Sequence, residues 1–181
     1  MSTESSYVLL DRDGVINRDV PTSVCSVDVF EMLPDSARAI AMLCEHGYRI
    51  VVLTNQACVG RGELLVDELS MIHDRLRSAI AAAGGEITDI LVCPHTDIDN
   101  CKCRKPRPGL ILDAAERYGI DLPNTWFVGD SMCDVQAALV AGCRPTLVRT
   151  GKPLNDRQSD NIPIFNSLLE FALLLHRADK Y

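Results

Sequence analysis

No apolar run in this 181-residue chain approaches the roughly 20 residues that a membrane-spanning helix needs. The opening segment MSTESSYVLLD lacks the cationic stretch of a secretory signal. Linkers, internal repeats and low-complexity stretches are missing too. Positive charge is in short supply: 18 Lys and Arg face 25 Asp and Glu, a formal net charge of −7. That balance disfavours a nucleic-acid backbone as partner, because phosphate neutralisation needs a basic surface. A small phosphorylated ligand stays open, since local cations or a metal can outweigh the global charge. These deficits predict a cytoplasmic monomer with neither membrane nor nucleic-acid partner. Hydrophobic residues make up 47% and charged residues 24%, an ordinary globular balance. The length suits one domain, 1–181, with a sizeable core.

Eight cysteines are many, yet without a secretion signal they do not read as a disulfide framework. Cys25, Cys44, Cys58, Cys133 and Cys143 are scattered and are expected to serve as small buried hydrophobes. Cys93, Cys101 and Cys103 instead crowd around His95 in the pattern C-x-H-x5-C-x-C. Three thiols and one imidazole so close in sequence can close a tetrahedral structural zinc site. Such a site leaves no coordination position open for catalysis. Of the other histidines, His46 falls in the last turn of a helix, whereas His73 and His176 sit in helical patterns as structural or solvated residues.

Short apolar runs alternate with helical patterns. Strands are predicted at 7–11, 49–55, 89–94, 125–130 and 145–150, mostly continuous apolar runs that suit burial on both faces. Helices are predicted from about Pro34 to Gly47, over 65–83, 108–118 and 132–141, and from Asn166 or Ser167 to about His176. This alternation gives an α/β fold, a doubly wound, mostly parallel sheet with helices on both faces. The stretch 18–33 is expected to be a small β-rich flap.

Ligands of open parallel sheets bind beyond the carboxyl ends of the strands. Those ends carry Asp11 and Asp13, then Thr54 and Asn55, then Asp130, with Lys105 just before a helix. Two carboxylates two residues apart repel unless a cation joins them, and magnesium favours oxygen ligands of this kind. Thr54, Asn55 and Lys105 can offer a hydroxyl, N–H groups and an ammonium to a phosphate. The plainer readings are a DxDG turn, a T-N helix cap, and an Asp130–Asp134 pair favouring a helix start.

Taken together, DRDGVIN, TNQ, CRKPRPG and VGDSMCD resemble, in order and spacing, the four motifs of the haloacid dehalogenase-like phosphatases. The resemblance runs from about residue 7 to 151. It implies that Asp11 attacks phosphorus to form an aspartyl-phosphate, while Asp13 protonates the leaving oxygen and later activates water. It implies too that Thr54 and Lys105 hold the phosphoryl oxygens. Mg2+ is then held by the Asp11 carboxylate, the Asp13 carbonyl and Asp130, with Asp134 supporting. The zinc loop looks like the capless branch that contains the heptose 1,7-bisphosphate and histidinol-phosphate phosphatases. GVIN after Asp13, Gly60-Arg61-Gly62 and KPRPG lean toward the heptose enzymes, whereas Ala57-Cys58-Val59 departs from their usual pattern. The expected reaction is removal of the 7-phosphate from a heptose bisphosphate during heptose precursor synthesis, with histidinol phosphate as the alternative. A polynucleotide 3′-phosphatase fits the acidic charge poorly, and nothing in the motifs favours a non-catalytic zinc-stabilised binding module. Arg104, Arg61, Asn17 and Asp19 are the candidates to read the sugar or its second phosphate.

Overall fold

The computed structural model describes residues 6–21, 23–154 and 161–178. The ends of the expected 1–181 domain, and Thr22 within the flap, lie outside the described residues. Six parallel strands form one sheet: β1 (Ser6–Leu10), β2 (Tyr48–Asn55), β3 (Asp89–Cys93), β4 (Trp126–Gly129), β5 (Arg144–Val148) and β6 (Ile164–Phe165). The helices are α1 (Ser36–Glu45), a single turn α2 (Ala57–Gly60), α3 (Val66–Ala82), α4 (Gly109–Tyr118), α5 (Met132–Ala141) and α6 (Leu168–Ala178).

Strand order is β3-β2-β1-β4-β5-β6, so the chain reverses its direction of travel across the sheet at β1 and β4. Alternation along the buried strands feeds two cores. Val8, Leu10, Ile50 and Val52 face α1, α3 and α6 through Ile40, Leu43, Ile72, Leu76 and Phe171. Tyr7, Leu9, Val51 and Leu53 face the opposite side, against Leu110, Ile111, Ala114, Ala137 and Ala138 of α4 and α5. With period-2 strands, both faces must therefore be apolar, which is why the strands read as unbroken hydrophobic runs. Leu10 pairs with Val52 on one side and Val128 on the other. The carboxyl ends of β1, β2 and β4 thus lie near one another on the same rim, at the topological switch point.

The segment 18–33 forms turns instead of the expected β-rich flap. An antiparallel bridge joins Asn17 to Met32 at its base, where Arg18 N–H donates to Glu31 O at 2.8 Å and Leu33 N–H to Ile16 O at 3.0 Å. Val24 and Phe30 are buried in the core, so side-chain anchoring takes the place of a strand ladder. Among the described residues, no helix is long and apolar enough to cross a membrane.

Candidate active site

Asp11 follows β1 directly, and its N–H donates to Val128 O at 2.9 Å, tying it to β4. Lys105 arrives from the loop before α4 and is almost fully buried. Its ammonium meets Asp11 Oδ1 at 2.7 Å and Asp134 Oδ1 at 2.8 Å, and donates to Leu53 O at 2.9 Å. All three donors of the ammonium are therefore engaged. Asn55 fixes the lysine main chain, accepting from its N–H at 3.1 Å and donating to its carbonyl at 3.0 Å.

Asp130 is wedged between two glycines. A Cβ on Gly14 would lie 2.4 Å from Asp130 Oδ2, and one on Gly151 only 2.2 Å from it. Gly14 also has φ +81°, a conformation that side chains other than glycine's resist. Lys152 N–H donates to Asp130 Oδ2 at 3.0 Å. Asp134 performs two tasks: Oδ2 accepts from Ser131 Oγ at 2.7 Å and Ser131 N–H at 3.1 Å at the start of α5, while Oδ1 faces Lys105. The plain helix-start reading of Asp134 thus holds through its contacts to Ser131.

One oxygen each from Asp11, Asp130 and Asp134 lies within 4.8 Å of the others. Three buried carboxylates against one ammonium leave two negative charges uncompensated, which a divalent cation cancels. Octahedral magnesium at about 2.1 Å spaces its ligands by about 3 to 4 Å, so the donor set fits in kind and in spread. Without such a cation, burial pushes the Asp11 carboxyl up to about 8, Asp134 and Asp130 adding to it against the pull of Lys105. Burial, with Asp134 adding to it, pushes Asp130 up to about 6. Asp134 moves the other way: burial opposes its charge, but Lys105 and Ser131 prevail and hold it below the usual range.

The Asp13 carboxylate belongs to a separate network. Arg12 Nη2 donates to both of its oxygens, at 3.0 and 3.1 Å, and Asn17 Nδ2 and Gln56 Nε2 each donate at 2.8 Å. Burial works against the charge, yet Arg12, Asn17 and Gln56 together keep this carboxyl below its ordinary value. Gln56 Nε2 also donates to Thr54 Oγ1 at 2.8 Å. Arg12 has no solvent exposure, and its Nη1 lies 3.3 Å from His73 Nε2.

A cavity of about 380 Å³ opens over these groups, bounded by Asp11, Asp13, Asn55, Lys105, Asp130 and Asp134 at its floor. Asp19, Ser23, Arg61, Asp97, Arg104 and Lys152 form its outer wall. Arg61 pairs with Glu63 at 2.7 Å and Arg104 with Asp97 at 2.6 Å. Beside it, the sulfurs of Cys93, Cys101 and Cys103 and Nδ1 of His95 converge. The sulfurs lie 3.2, 3.5 and 3.7 Å apart, and His95 Nδ1 lies 3.3 and 3.6 Å from Cys103 and Cys93. A tetrahedron with Zn–S bonds of about 2.3 Å has edges of about 3.8 Å, so this cluster fits zinc with slight expansion. Arg107 braces the loop from behind, donating to Cys101 O and Asn100 Oδ1.

Comparison with known proteins agrees with this geometry. A family model described as HAD-hydrolase-like matches residues 102–170. The D-glycero-beta-D-manno-heptose-1,7-bisphosphate 7-phosphatase of Pseudomonas aeruginosa is 45% identical over 147 residues, 81% of this chain and 83% of the relative. The chain belongs to the heptose bisphosphate phosphatases, within the haloacid dehalogenase-like family. A Neisseria meningitidis relative of the same name is 42% identical over 91% of each chain. The crystal structure of the D,D-heptose 1,7-bisphosphate phosphatase from Bordetella bronchiseptica, complexed with magnesium and phosphate, aligns with a TM-score of 0.89 and 39% identity, covering 96% of this chain and 99% of that one.

The fold gathers Asp11, Asp13, Asn55, Lys105, Asp130 and Asp134 at one cavity, with Asp19, Arg61 and Arg104 on its wall. Several expectations change. Asn17 is fully buried and bound to Asp13, so it faces away from any sugar and serves the carboxylate instead. Thr54 is likewise fully buried and does not line the cavity; its hydroxyl accepts from Gln56. Cys133 is exposed and lines the cavity, contrary to its expected burial, because it faces outward at the start of α5. Cys25 and Cys44 are half-buried, and only Cys58 and Cys143 of the scattered five are fully so. Missed from sequence were Arg12, Gln56 and Lys152, which an uncommitted reader would take for a solvated arginine, a polar spacer and a loop lysine. His46 and His176 stack edge to face with ring centroids 4.2 Å apart, joining α6 to the end of α1.

Proposed function

We propose that this protein removes the 7-phosphate from D-glycero-beta-D-manno-heptose 1,7-bisphosphate, with Mg2+ held by the Asp11 carboxylate, the Asp13 carbonyl and Asp130, Asp134 supporting, and structural Zn2+ in the Cys93–His95–Cys101–Cys103 loop. The observation that carries the chemistry is the buried Asp11–Lys105 contact of 2.7 Å at the floor of the cavity, within a carboxylate cluster short of two positive charges. Asp11 attacks phosphorus, its oxygen forming a new P–O bond as the bond to the sugar oxygen breaks. Asp13 delivers the proton that the leaving alkoxide needs. Asp13, now a carboxylate, then takes a proton from water as that water attacks phosphorus and the P–O bond to Asp11 breaks, releasing phosphate. Magnesium supplies charge neutralisation for the phosphoryl oxygens when bound. Lys105 offsets the repulsion between the Asp11 carboxylate and the phosphate dianion.

Arg104, Arg61 and Lys152 give the outer wall three cations suited to a second phosphate, and Asp19 an acceptor for sugar hydroxyls. Support for the beta anomer comes from five relatives of that name at 42–46% identity, against 33% and 39% for relatives named for the alpha anomer, a sixth beta-named relative lying between at 36%. A cytoplasmic role in supplying heptose precursors for a bacterial surface glycan follows from that substrate.

Phosphate release from the two heptose bisphosphate anomers and from histidinol phosphate tests the reading. The beta anomer should give the highest kcat/KM, and preference for histidinol phosphate would overturn the substrate. Asp11→Asn should abolish turnover; retained magnesium-dependent activity would overturn the nucleophile.

A further inference from the structure

Arg12 lies between Asp11 and Asp13 in sequence, yet its guanidinium turns inward and has no solvent exposure. A fully buried guanidinium is costly unless its charge and its five N–H groups find partners. Asp13 takes Nη2 and, at 3.3 Å, Nε. The opposite side of the fork is met by His73, whose Nε2 lies 3.3 Å from Nη1. Guanidinium nitrogens only donate, so Nε2 must accept, and the imidazole is the neutral tautomer with its proton on Nδ1. Burial and the neighbouring Arg12 and Arg77 favour that neutral form. His73 belongs to α3, whose Leu69, Ile72 and Leu76 are packed in the core, so the ring is carried on a rigid element.

We propose that His73 is a positioning residue that acts through Arg12 to hold the Asp13 carboxylate in its water-activating pose. The inference rests on the reading of Asp13 as the proton-handling group. It extends a line of three side chains, His73–Arg12–Asp13, from the helix layer to the reaction centre. With His73 removed, one edge of the buried guanidinium loses its protein acceptor. The plane that sets both Asp13 oxygens is then free to turn. Asn17 and Gln56 still donate to Asp13, so the loss should be partial. Attack by a free water relies on Asp13 alone to align it, whereas the bound sugar itself places the leaving oxygen in the first step, so hydrolysis of the aspartyl-phosphate should suffer first.

The test compares His73→Leu, His73→Gln and Asp13→Asn with the unaltered enzyme, each with magnesium and heptose bisphosphate. Loss of an outer partner that orients a reacting group typically costs about 10- to 100-fold, and His73→Leu should lower kcat by that factor with KM little changed. Acid-quenched samples of this variant should show a larger fraction of chain carrying one added phosphoryl group, read by intact mass. Gln can present an acceptor oxygen to Arg12 and should recover most of the rate. An unchanged kcat, a lowered kcat without phosphoryl-enzyme build-up, or no recovery with Gln would each overturn the proposal. A purely structural role would lower Tm without moving the phosphoryl-enzyme fraction. Asp13→Asn separates the two levels: full activity there refutes the role of Asp13 itself. Near-complete loss there, with His73→Leu unaffected, refutes only the positioning role.

Discussion

Replacing Lys105 by Met keeps the buried aliphatic stem and removes only the ammonium, which meets Asp11 at 2.7 Å and Asp134 at 2.8 Å. Truncating one partner of a buried ion pair costs about 3–5 kcal/mol, because the remaining charge is left uncompensated. Here one cation serves two carboxylates with a third, Asp130, alongside, so the upper part of that range applies in the absence of metal. For a chain of this size about 1 kcal/mol shifts Tm by roughly 2–4 °C, giving a loss of about 10–15 °C in EDTA. The sign of the pH dependence follows from Asp11. Its folded value is raised to about 8, so the stability linked to its protonation is present at low pH and is lost as pH rises through 8. In the variant a proton takes over the task of the missing ammonium. The deficit should therefore be largest above about pH 8 and shrink at about pH 5.5, where the carboxyl is protonated at less cost. Millimolar magnesium should narrow the gap at high pH, since the variant's extra uncompensated carboxylate charge binds the cation more tightly in the folded form. Urea unfolding of both proteins in EDTA, at the two pH values and again with magnesium, measures all three effects. A deficit below about 1 kcal/mol at high pH, or one that grows on acidification, would refute the charge accounting at this site.

Two further outcomes follow from the packing. Metal analysis should find one tightly held zinc per chain, and Cys101→Ser should lower Tm while raising KM for the bisphosphate more than it lowers kcat. The basis is that the loop carries Arg104, whose Nη1 reaches His95 O at 3.4 Å, whereas the carboxylate centre lies outside the loop. Gly151→Ala places a methyl 2.2 Å from Asp130 Oδ2, so the carboxylate must move; the magnesium concentration for half-maximal activity should rise at least about tenfold, read by titration.

Much of this molecule was legible because its strands are buried on both faces. Unbroken apolar runs announced β1 to β5, and the polar residues after β1, β2 and β4 announced the rim. The predicted helix 132–141 is observed as Met132–Ala141. What escaped was whatever depends on direction and not on position. β6 has only two residues, too few for any period. Asn17 and Thr54 stand at the right places in the chain, but their side chains turn inward to Asp13 and Gln56. Arg12 looks like a solvated charge until the fold buries it completely, with its guanidinium between Asp13 and His73. The flap escaped for a related reason: Val24 and Phe30 anchor it by burial, and alternation alone cannot tell an anchored turn from a strand.

A site without a separate cap must hold its recognition residues by other means, and this chain does so by chaining them to the reaction centre. Lys105 and Arg104 are neighbours in sequence with opposite tasks, one at the cavity floor and the other on its wall. Cys103 precedes them, within the cluster that also includes Cys93, the last residue of β3. A metal closing that cluster ties the cations to the sheet at both ends of the loop. On the other side, Thr150 Oγ1 donates to Gly14 O at 2.7 Å, so the segment carrying Lys152 is fastened to the turn after Asp13. Two of the three wall cations are thus held close to the reaction centre's surroundings, Arg104 through His95 of the Cys–His cluster and Lys152 through Asp130, whereas Arg61 pairs with Glu63. Specificity in this branch can then change by substitution within these short tethers while the Asp11–Lys105–Asp134 geometry stays fixed, because the tethers donate from main-chain N–H groups or bond main-chain carbonyls, which a side-chain change leaves in place.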